Sequence, residues 1–159
     1  MNMITLLTTL RDAIHDSSAT QTWCTSNYTR NHKVLVGTDH QEPPAQGQFP
    51  LVLIRMRQKH LGYELETQDH WMEIVPAIYD ASSRTGGKTN VVEMNGEQNI
   101  ETFRKLVESV IVTAVATLTG MRIDEMQIRY STLGSYPHFD AQMLIKIVSD
   151  YYGGGDVFA

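Results

Sequence analysis

The segment SSRTGGKT, residues Ser82–Thr89, has the residue types of a phosphate-binding loop. In such a P-loop, a glycine-rich backbone, a lysine and a hydroxyl hold nucleotide phosphates and magnesium, and a helix that starts at the lysine turns its N-terminal amides toward them. The motif needs glycine where this chain has Ser82, and two adjacent valines and an Asn-Gly pair follow Lys88. We therefore expect the next helix only near Gln98, and interpret the segment as a loop tip with two cations, Arg84 and Lys88, available to a partner. A nucleotide-binding or hydrolytic enzyme is kept as the alternative of a different class.

Histidine and cysteine are the other residues that could do chemistry, because they bind metals and act as bases or nucleophiles. The chain has six histidines and one cysteine, and Asp39 and Asp69 directly precede His40 and His70. No His-x-x-x-His or equivalent pair sets two ligands on one face, Cys24 lies in a polar segment without a nearby histidine, and no Gly-x-Ser-x-Gly elbow occurs. We predict solvent-exposed histidines, a buried Cys24, and no catalytic residue, cofactor or metal.

Three cations alternate along a segment with strand character: Arg55, Arg57 and Lys59. Alternate residues of a strand lie on one face, about 6.7 Å apart, so the pattern predicts a basic stripe. A stripe of this kind can follow nucleic-acid phosphates. A solvated face, or a contact with acids of a neighbouring subunit, is the more common arrangement and is our interpretation.

The overall composition indicates one globular domain of a soluble protein, with 159 residues of which 42% are hydrophobic and 19% charged. The formal net charge is -5, divided as +2 over residues 1–60 and -7 over residues 61–159. This balance argues against a dedicated nucleic-acid binder, which needs a broad basic surface. The longest apolar run is far shorter than the roughly 20 residues that span a bilayer, and the N-terminus lacks the features of a secretory signal. A single cysteine excludes an intrachain disulfide.

Hydrophobic periodicity and turn residues define the elements of the first half of the chain. In order, they are a helix at 2–16, a short helix from Ser17 or Ser18 to about Asn27, a strand at 33–37, a loop at 38–48 and a long strand at 49–60. Trp23 is the apolar residue that packs the short helix. One face of the long strand is apolar, whereas the other begins apolar and turns basic, so we expect the strand to run from the core to an exposed end.

A second long strand at 66–80 forms a hairpin with the first, joined near Gly62. Pro76 lies within it and cannot donate a ladder hydrogen bond, so we expect this strand at a sheet edge or with a bulge. A short strand at 90–94 and a long helix from about Gln98 to Thr119 follow. The broad apolar face of this helix makes it the main core helix.

The last third of the chain alternates apolar and polar residues, which predicts two antiparallel strands at about 126–131 and 142–150. The order of elements indicates an α+β fold: one domain over 1–159, a mostly antiparallel sheet with a long hairpin, packed by an N-terminal helix and one long central helix. We interpret 152–159 as a flexible C-terminal arm that folds back or docks into another chain. The contact residues expected around it are Tyr151, Tyr152, Asp156, Val157 and Phe158.

Several short sequence segments, and the order in which they occur, resemble those of the tail-terminator (tail-completion) proteins of long-tailed bacteriophages. They are TWC, HKVLVGTD, PPAQGQFPLVLI at the start of the hairpin, NIETFRKLVESVI and the closing sheet. The resemblance implies a small α+β subunit of a hexameric ring that caps the tail tube, stops its polymerisation and offers a docking surface for the head connector. It implies no catalytic residues, and a place at the head-proximal end of the virion tail after assembly in the host cytoplasm. The implied partners are further copies of the chain, the tube protein, the connector or neck protein and the sheath protein.

Termination in this class is expected to work by surface competition. One ring face matches the last tube ring, while the other lacks the self-complementary surface of a tube subunit, so stacking does not propagate. DNA passes through without specific binding, and the acidic excess keeps it from adhering. The expected contacts are the hairpin at Arg55, Arg57 and Lys59, the loop at Arg84 to Lys88, and the C-terminal residues. A head-side neck adaptor or another minor tail protein is the structural alternative.

Overall fold

A computed structural model of the chain describes residues 3–37, 44–61, 67–85, 89, 91–130 and 136–150. The helices are α1 (Met3–Asp16), α2 (Ser18–Tyr28) and α3 (Asn95–Ala116), with a single 3-10 turn at Gln46–Gln48. The strands are β1 (Lys33–Val36), β2 (Leu51–Leu61), β3 (Thr67–Tyr79), β4 (Ser83–Thr85), β5 (Val92–Met94), β6 (Met121–Tyr130) and β7 (His138–Asp150). The α+β class predicted from the sequence is confirmed.

Five strands form the main sheet in the order β1-β2-β3-β7-β6, and β4 and β5 form a separate two-stranded sheet. All neighbours are antiparallel except β1 and β2, which are parallel. Strands β2 and β3 form the long hairpin, in which Leu51 lies opposite Ala77. The mostly antiparallel sheet and its long hairpin are therefore as predicted.

The first two helices are separated by a single residue, Ser17. In α1, Leu6, Leu10 and Ile14 recur every four residues and are fully buried, so they form the stripe that faces the core. The Ser17 side chain accepts a hydrogen bond from the Thr20 backbone amide at 3.3 Å and caps α2. Of the two predicted caps, Ser17 is thus the one used.

The helices and one face of the main sheet enclose the core. Trp23 of α2 stacks on Phe103 of α3 with ring centroids 5.5 Å apart, which fixes the short helix to the long one. The largest buried side chains contributed by α3 and the sheet include Ile100, Phe103, Ile111, Ile54, Met72, Ile74, Ile78, Met143 and Ile145.

The expectation that Pro76 marks an edge or a bulge is wrong, because β3 is the central strand of the sheet. Ladder pairing between β3 and β7 stops after Ile74, opposite Met143, and resumes at Ala77, opposite Asp140. The same number of residues is skipped on both strands, so the register continues without a bulge. The sheet accommodates the missing N–H donor by interrupting the ladder on one side of a strand that otherwise stays paired.

Two β-bulges do occur, and they change which side chains share a face. The pairing of β2 with β3 shifts at Arg57, and the pairing of β6 with β7 shifts at Asp124. Each of these residues is an insertion in its strand. Beyond each bulge the alternation of side chains between the two faces is reversed.

Helix α3 begins and ends three residues earlier than the predicted range of Gln98 to Thr119. Gly96 lies in its first turn and is buried, and a Cβ at this position would lie 2.1 Å from Cε2 of Phe139. The Asn-Gly pair that suggested a loop therefore belongs to the helix. The missing side chain lets α3 approach the ring of Phe139 in β7.

Candidate interface on the helix-free face of the sheet

The candidate functional site is the face of the main sheet that points away from the helices, which we call the helix-free face. Most of its side chains are half-buried or exposed, whereas the charged residue Glu73 is only 2% exposed. The face combines an aromatic residue and several arginines with apolar groups, and aromatic residues and arginine are enriched in protein contact surfaces. The face carries Leu53, Arg55, Gln58, Trp71, Glu73, Val75, Gln142, Leu144, Lys146, Glu125, Gln127 and Arg129.

The predicted basic stripe is split between the two faces of the sheet. Arg55 pairs with Glu73 on the helix-free face, whereas Lys59 pairs with His70, whose side chain is buried on the helix-covered face. The bulge at Arg57 causes the switch because it reverses the alternation. The prediction that the three cations share one face is therefore wrong for Lys59. The strand does end outside the core, as predicted, since its last described side chains are exposed.

Glu73 is the centre of a buried charge cluster on the helix-free face. Its Oε2 lies 2.7 Å from Arg57 Nη2 and 3.4 Å from Arg55 Nε, and Gln142 donates a hydrogen bond from Nε2 to Oε1. Burial raises the pKa of Glu73, but the Arg57 and Gln142 donors and the charge of Arg55 outweigh it, so that pKa lies below its ordinary value. The ionised carboxylate of β3 thus connects β2 to β7.

A second cluster surrounds Lys146 of β7. Its Nζ lies 2.8 Å from Oδ2 of Asp124 and 3.3 Å from Oδ2 of Asp69. Hydrogen bonds to both carboxylates raise the pKa of Lys146, and the bond to Lys146 lowers the pKa of Asp124. These contacts connect β3, β7 and β6, and the one positive charge of Lys146 is fully engaged by two carboxylates of its own chain.

A shallow groove of about 420 Å³ crosses the helix-free face. Its lining provides two guanidinium groups, two amides, one indole and one aliphatic side chain, and none of these lining residues is acidic. Half of the Arg57 side chain stays exposed in spite of its ion pair. The lining residues are Arg57, Gln58, Trp71, Gln142, Leu144 and Arg129.

The SSRTGGKT segment contributes to a hairpin arm formed by β4 and β5. Arg84 lies opposite Glu93, and the two side chains form an exposed ion pair at 2.6 Å. The next helix begins at Asn95, seven residues beyond Lys88, whereas the helix of a P-loop begins at the lysine. Gly86 to Lys88 lie outside the described residues.

Asp80 anchors this arm at the end of β3, and it is only 8% exposed. Its Oδ1 accepts hydrogen bonds from the Ser82 amide at 2.9 Å and the Ser82 hydroxyl at 2.5 Å. Asn99 of α3 donates to Oδ2 at 2.7 Å, and Asn95 donates to the Ser82 hydroxyl at 2.9 Å. One buried carboxylate therefore ties the arm to the first turns of α3.

The prediction of solvent-exposed histidines is wrong for His32 and His70, which are buried. Nε2 of His32 lies 2.9 Å from the Ile14 carbonyl oxygen, and Nε2 of His70 lies 3.3 Å from Oγ of Ser149. Burial lowers the pKa of both histidines, and the charge of Lys59 lowers the pKa of His70 further. Both side chains belong to the packing of the subunit.

The remaining chemistry of the described residues is limited. Cys24 is buried as predicted, and burial raises the pKa of its thiol to about 12. Within the described ranges, no three His, Cys, Asp or Glu side chains are grouped as metal ligands. Over the same ranges, no helix has the length and apolar character needed to cross a bilayer. The predicted contact residues Tyr151, Tyr152, Asp156, Val157 and Phe158 lie outside the described residues.

The sequence favours a core position for Trp71, which is instead half-buried in the groove, and it does not single out Glu73 or Arg129. A signal for them exists, because they are the alternate residues of strands whose other residues form the core. Their grouping depends on strand order and register, which periodicity alone does not supply.

No family model matches the sequence, and no curated protein matches it. The fold and the site define a class: an α+β domain with an organised, partly charged sheet face on the side away from its helices.

Proposed function

We propose that this protein is a structural subunit of a ring that caps the tail tube of a long-tailed bacteriophage. The observation that carries the proposal is the helix-free face, where Glu73 is buried beneath charged and polar partners of its own subunit. Internal pairing of this kind makes a surface rigid, which suits a subunit that presents the same surface in every copy of a ring. The long hairpin, and the sequence segments that resemble those of tail-terminator proteins, support the same assignment to a tail-capping ring.

In this function, a hexameric ring stacks on the last ring of the tail tube and ends its growth. The contact is made once, because the opposite face of the ring lacks the surface that a tube subunit uses for self-stacking. That opposite face receives the head connector, and sheath protein lies beside the ring at the head-proximal end of the tail. The net charge of -5 disfavours adhesion of the passing DNA.

The contact residues expected from the sequence take different roles in this proposal. Arg55 and Arg57 organise the surface, since both face the Glu73 carboxylate. Lys59 extends the exposed end of the hairpin. The arm contributes apolar contact through Val92 and Met94, which share one of its faces and are 64% and 39% exposed.

Two further groups of contact residues complete the proposal. Arg84 of the arm is already paired with Glu93, and Lys88, which lies outside the described residues, remains a proposed contact. The C-terminal residues Asp156 to Phe158 are proposed to contact a neighbouring copy. Deletion of 153–159 is expected to weaken ring formation while the subunit stays folded; an unchanged ring that still stops tube growth would remove these residues from the proposal.

Tube length is the decisive measurement. Purified protein is mixed with polymerising tube subunits, and tube lengths and end caps are recorded by electron microscopy, with native mass giving the number of copies. A terminator shortens the tubes and lies at their ends as a ring of six. A ring that does not limit tube growth and binds the head connector instead would indicate a neck adaptor. A monomer without effect on tube length would contradict both the terminator and the neck-adaptor functions.

Glu73→Ala is the variant that tests the role of the helix-free face in this assay, and Asp12→Ala is its matched control. Glu73 is buried on the sheet, whereas Asp12 is an exposed acid on α1 paired with Arg11. We expect only the Glu73 variant to lose termination. Nucleotide titration of the native protein and of Lys88→Ala tests the enzyme alternative, because a P-loop loses affinity with its lysine and the arm shows none in either protein.

A further inference from the structure

The groove on the helix-free face has cations at both of its sides. Arg57 belongs to β2 and Arg129 to β6, strands that are three interstrand spacings apart, or about 14 Å. The row of Arg129 crosses β2 at Leu53, so the two residues are also offset along the strands and their backbones lie roughly 18 Å apart, while both side chains line the groove. Trp71 and Leu144 lie between them and provide apolar surface, and Gln142 provides an amide. Tryptophan and arginine are the residue types most enriched among the energetically dominant residues of protein interfaces.

The two arginines differ in how far their charge is neutralised. Arg57 shares the Glu73 carboxylate with Arg55. Arg129 is exposed and has no ion pair with any of the described residues. No acidic residue lines the groove, although Glu73 beneath it already binds Arg57 and Gln142. A carboxylate at the Arg129 side therefore meets a guanidinium without a competing acid, and one at the Arg57 side shares that guanidinium with Glu73; guanidinium groups bind carboxylates with two parallel hydrogen bonds.

Nucleic acid and strand addition fit the surroundings of this groove less well. Asp69, Asp124 and Glu125 lie on the same sheet and would repel phosphates that run beyond the groove. The edge strand β6 has a bulge at Asp124 and several charged side chains, which are the features that protect an edge from pairing with another strand. The groove, whose lining holds two arginines and no acid, is the part of this face that is complementary to carboxylates.

We propose that this groove binds an extended acidic segment of a partner protein. The segment carries one aromatic residue with one carboxylate on each side of it. In an extended segment every second side chain points the same way, so a Glu-x-Phe-x-Glu pattern sets the Cα atoms of its two glutamates about 14 Å apart. The long side chains of glutamate and arginine span the remaining difference from the larger backbone separation of Arg57 and Arg129. The carboxylates pair with Arg57 and Arg129, and the ring packs on Trp71 and Leu144. The inference deepens the proposed function, on which it rests for the existence of a protein partner.

The test uses the full chain and a synthetic nine-residue peptide with a Glu-Ser-Phe-Ser-Glu centre. Its control peptide has glutamine in place of both glutamates. Calorimetric titration is carried out on the native protein, on Arg129→Gln and on Arg122→Gln, which removes an exposed arginine from the same strand outside the groove. Circular dichroism and thermal unfolding verify that both variants keep the native fold.

We expect saturable binding of the acidic peptide that weakens as salt is raised. The glutamine peptide and Arg129→Gln are each expected to reduce affinity by about tenfold or more, and Arg122→Gln to change it less than about twofold. Equal binding of both peptides, or native affinity in Arg129→Gln, would overturn the proposal, as would the absence of binding at millimolar peptide.

Further measurements would identify a different occupant of the groove. Tighter binding of the peptide by a chain ending at Asp150 would assign the groove to the C-terminal residues of this chain, and dissociation of the oligomer by the peptide would assign it to a second copy. Displacement of the peptide by a single-stranded DNA oligonucleotide would assign it to nucleic acid. Each of these outcomes would overturn the proposal that the groove binds a segment of a partner protein. Tube length is measured independently, so the groove and the proposed function can fail separately.

Discussion

Arg57 and Asp124 have the same structural role on opposite sides of the sheet. Each is the inserted residue of a β-bulge, and each pairs with an opposite charge on the adjoining inner strand, Arg57 with Glu73 at 2.7 Å and Asp124 with Lys146 at 2.8 Å. An inserted residue is exempt from strict alternation between faces. Each bulge thus adds one charged side chain to the helix-free face, which would have fewer charged side chains if both strands were regular.

Replacing Glu73 with alanine is expected to lower the free energy of unfolding by about 3 kcal/mol, because Arg55 and Arg57 lose their shared counter-charge. Glu73→Gln retains the shape and one acceptor, so a loss of about 1–2 kcal/mol is expected. Urea unfolding followed by circular dichroism measures both. The exposed acid Asp12 is the control, and its alanine variant should unfold like the native protein. A Glu73→Ala protein as stable as this control would show that the cluster does not stabilise the fold.

Stability is expected to fall as the pH drops below about 6.5, the ordinary pKa of histidine. Burial lowers the pKa of His32 and His70, so the folded protein keeps them neutral while the unfolded chain takes up protons. Each histidine contributes a slope of up to about 1.4 kcal/mol per pH unit, until its folded-state pKa is reached. Glu73, whose folded-state pKa is lowered, adds its own loss only below its ordinary value of 4.5.

The measurement is urea unfolding at a series of pH values in His32→Gln, His70→Gln and the exposed control His15→Gln. We expect a shallower slope between about pH 6.5 and 5 in the first two variants only. The same slope in all variants and in the native protein would locate the pH dependence elsewhere.

Gly96→Ala is expected to destabilise the protein by about 2 kcal/mol or more, although alanine favours helices by about 1 kcal/mol over glycine. The added methyl group would overlap the Phe139 ring, which is buried in the core. Thermal unfolding measures the change, and Phe139→Leu in the same chain should restore part of it by making room. Ser109→Ala, at an exposed position of the same helix, is the control. A Gly96→Ala protein more stable than the native one would mean that the ring moves without cost.

Asp80→Ala is expected to release the β4–β5 arm, because the carboxylate accepts hydrogen bonds from Ser82 and from Asn99. The loss of these charged hydrogen bonds should lower the free energy of unfolding by about 2 kcal/mol. Amide hydrogen exchange should accelerate in β4 and β5 while β2 and β3 keep their protection. Glu93→Gln, which alters only the exposed pair with Arg84, is the control. Unchanged exchange in the arm of the Asp80 variant would show that its backbone pairing suffices.

The elements with strong periodicity could be predicted from the sequence, and those decided by spatial neighbours could not. The helical spacing of Ile4, Leu7, Leu10 and Ile14 led directly to α1, and the alternation of Met143 and Ile145 led to β7, since each pattern is local. The buried stripe of α1 is nevertheless Leu6, Leu10 and Ile14, and Ile4 is 62% exposed. The start of α3 was missed because the role of Gly96 depends on a ring contributed by another strand. Two histidines were expected in solvent because nothing in their immediate sequence indicates burial.

The candidate site was predictable only in part. Arg55 and Arg57 were recognised as cations of one strand, but their common partner Glu73 lies on the other strand of the hairpin, and its burial requires Gln142 from a third. The bulge that separates Lys59 from the other two cations has no signature in local composition. The prediction of the site was therefore limited by the unknown pairing register of the strands and less by the residue types.

The interrupted ladder at Pro76 has a mechanical consequence. Hydrogen bonds between strands resist twisting, and β3 and β7 are unpaired between Ile74 and Ala77. The torsional stiffness of the sheet should thus be lowest at this point, between a short zone that ends at Tyr79 and a longer zone that leads into the hairpin. In the ring proposed above, such a joint would let the sheet follow small differences in pitch between the surfaces that the ring connects.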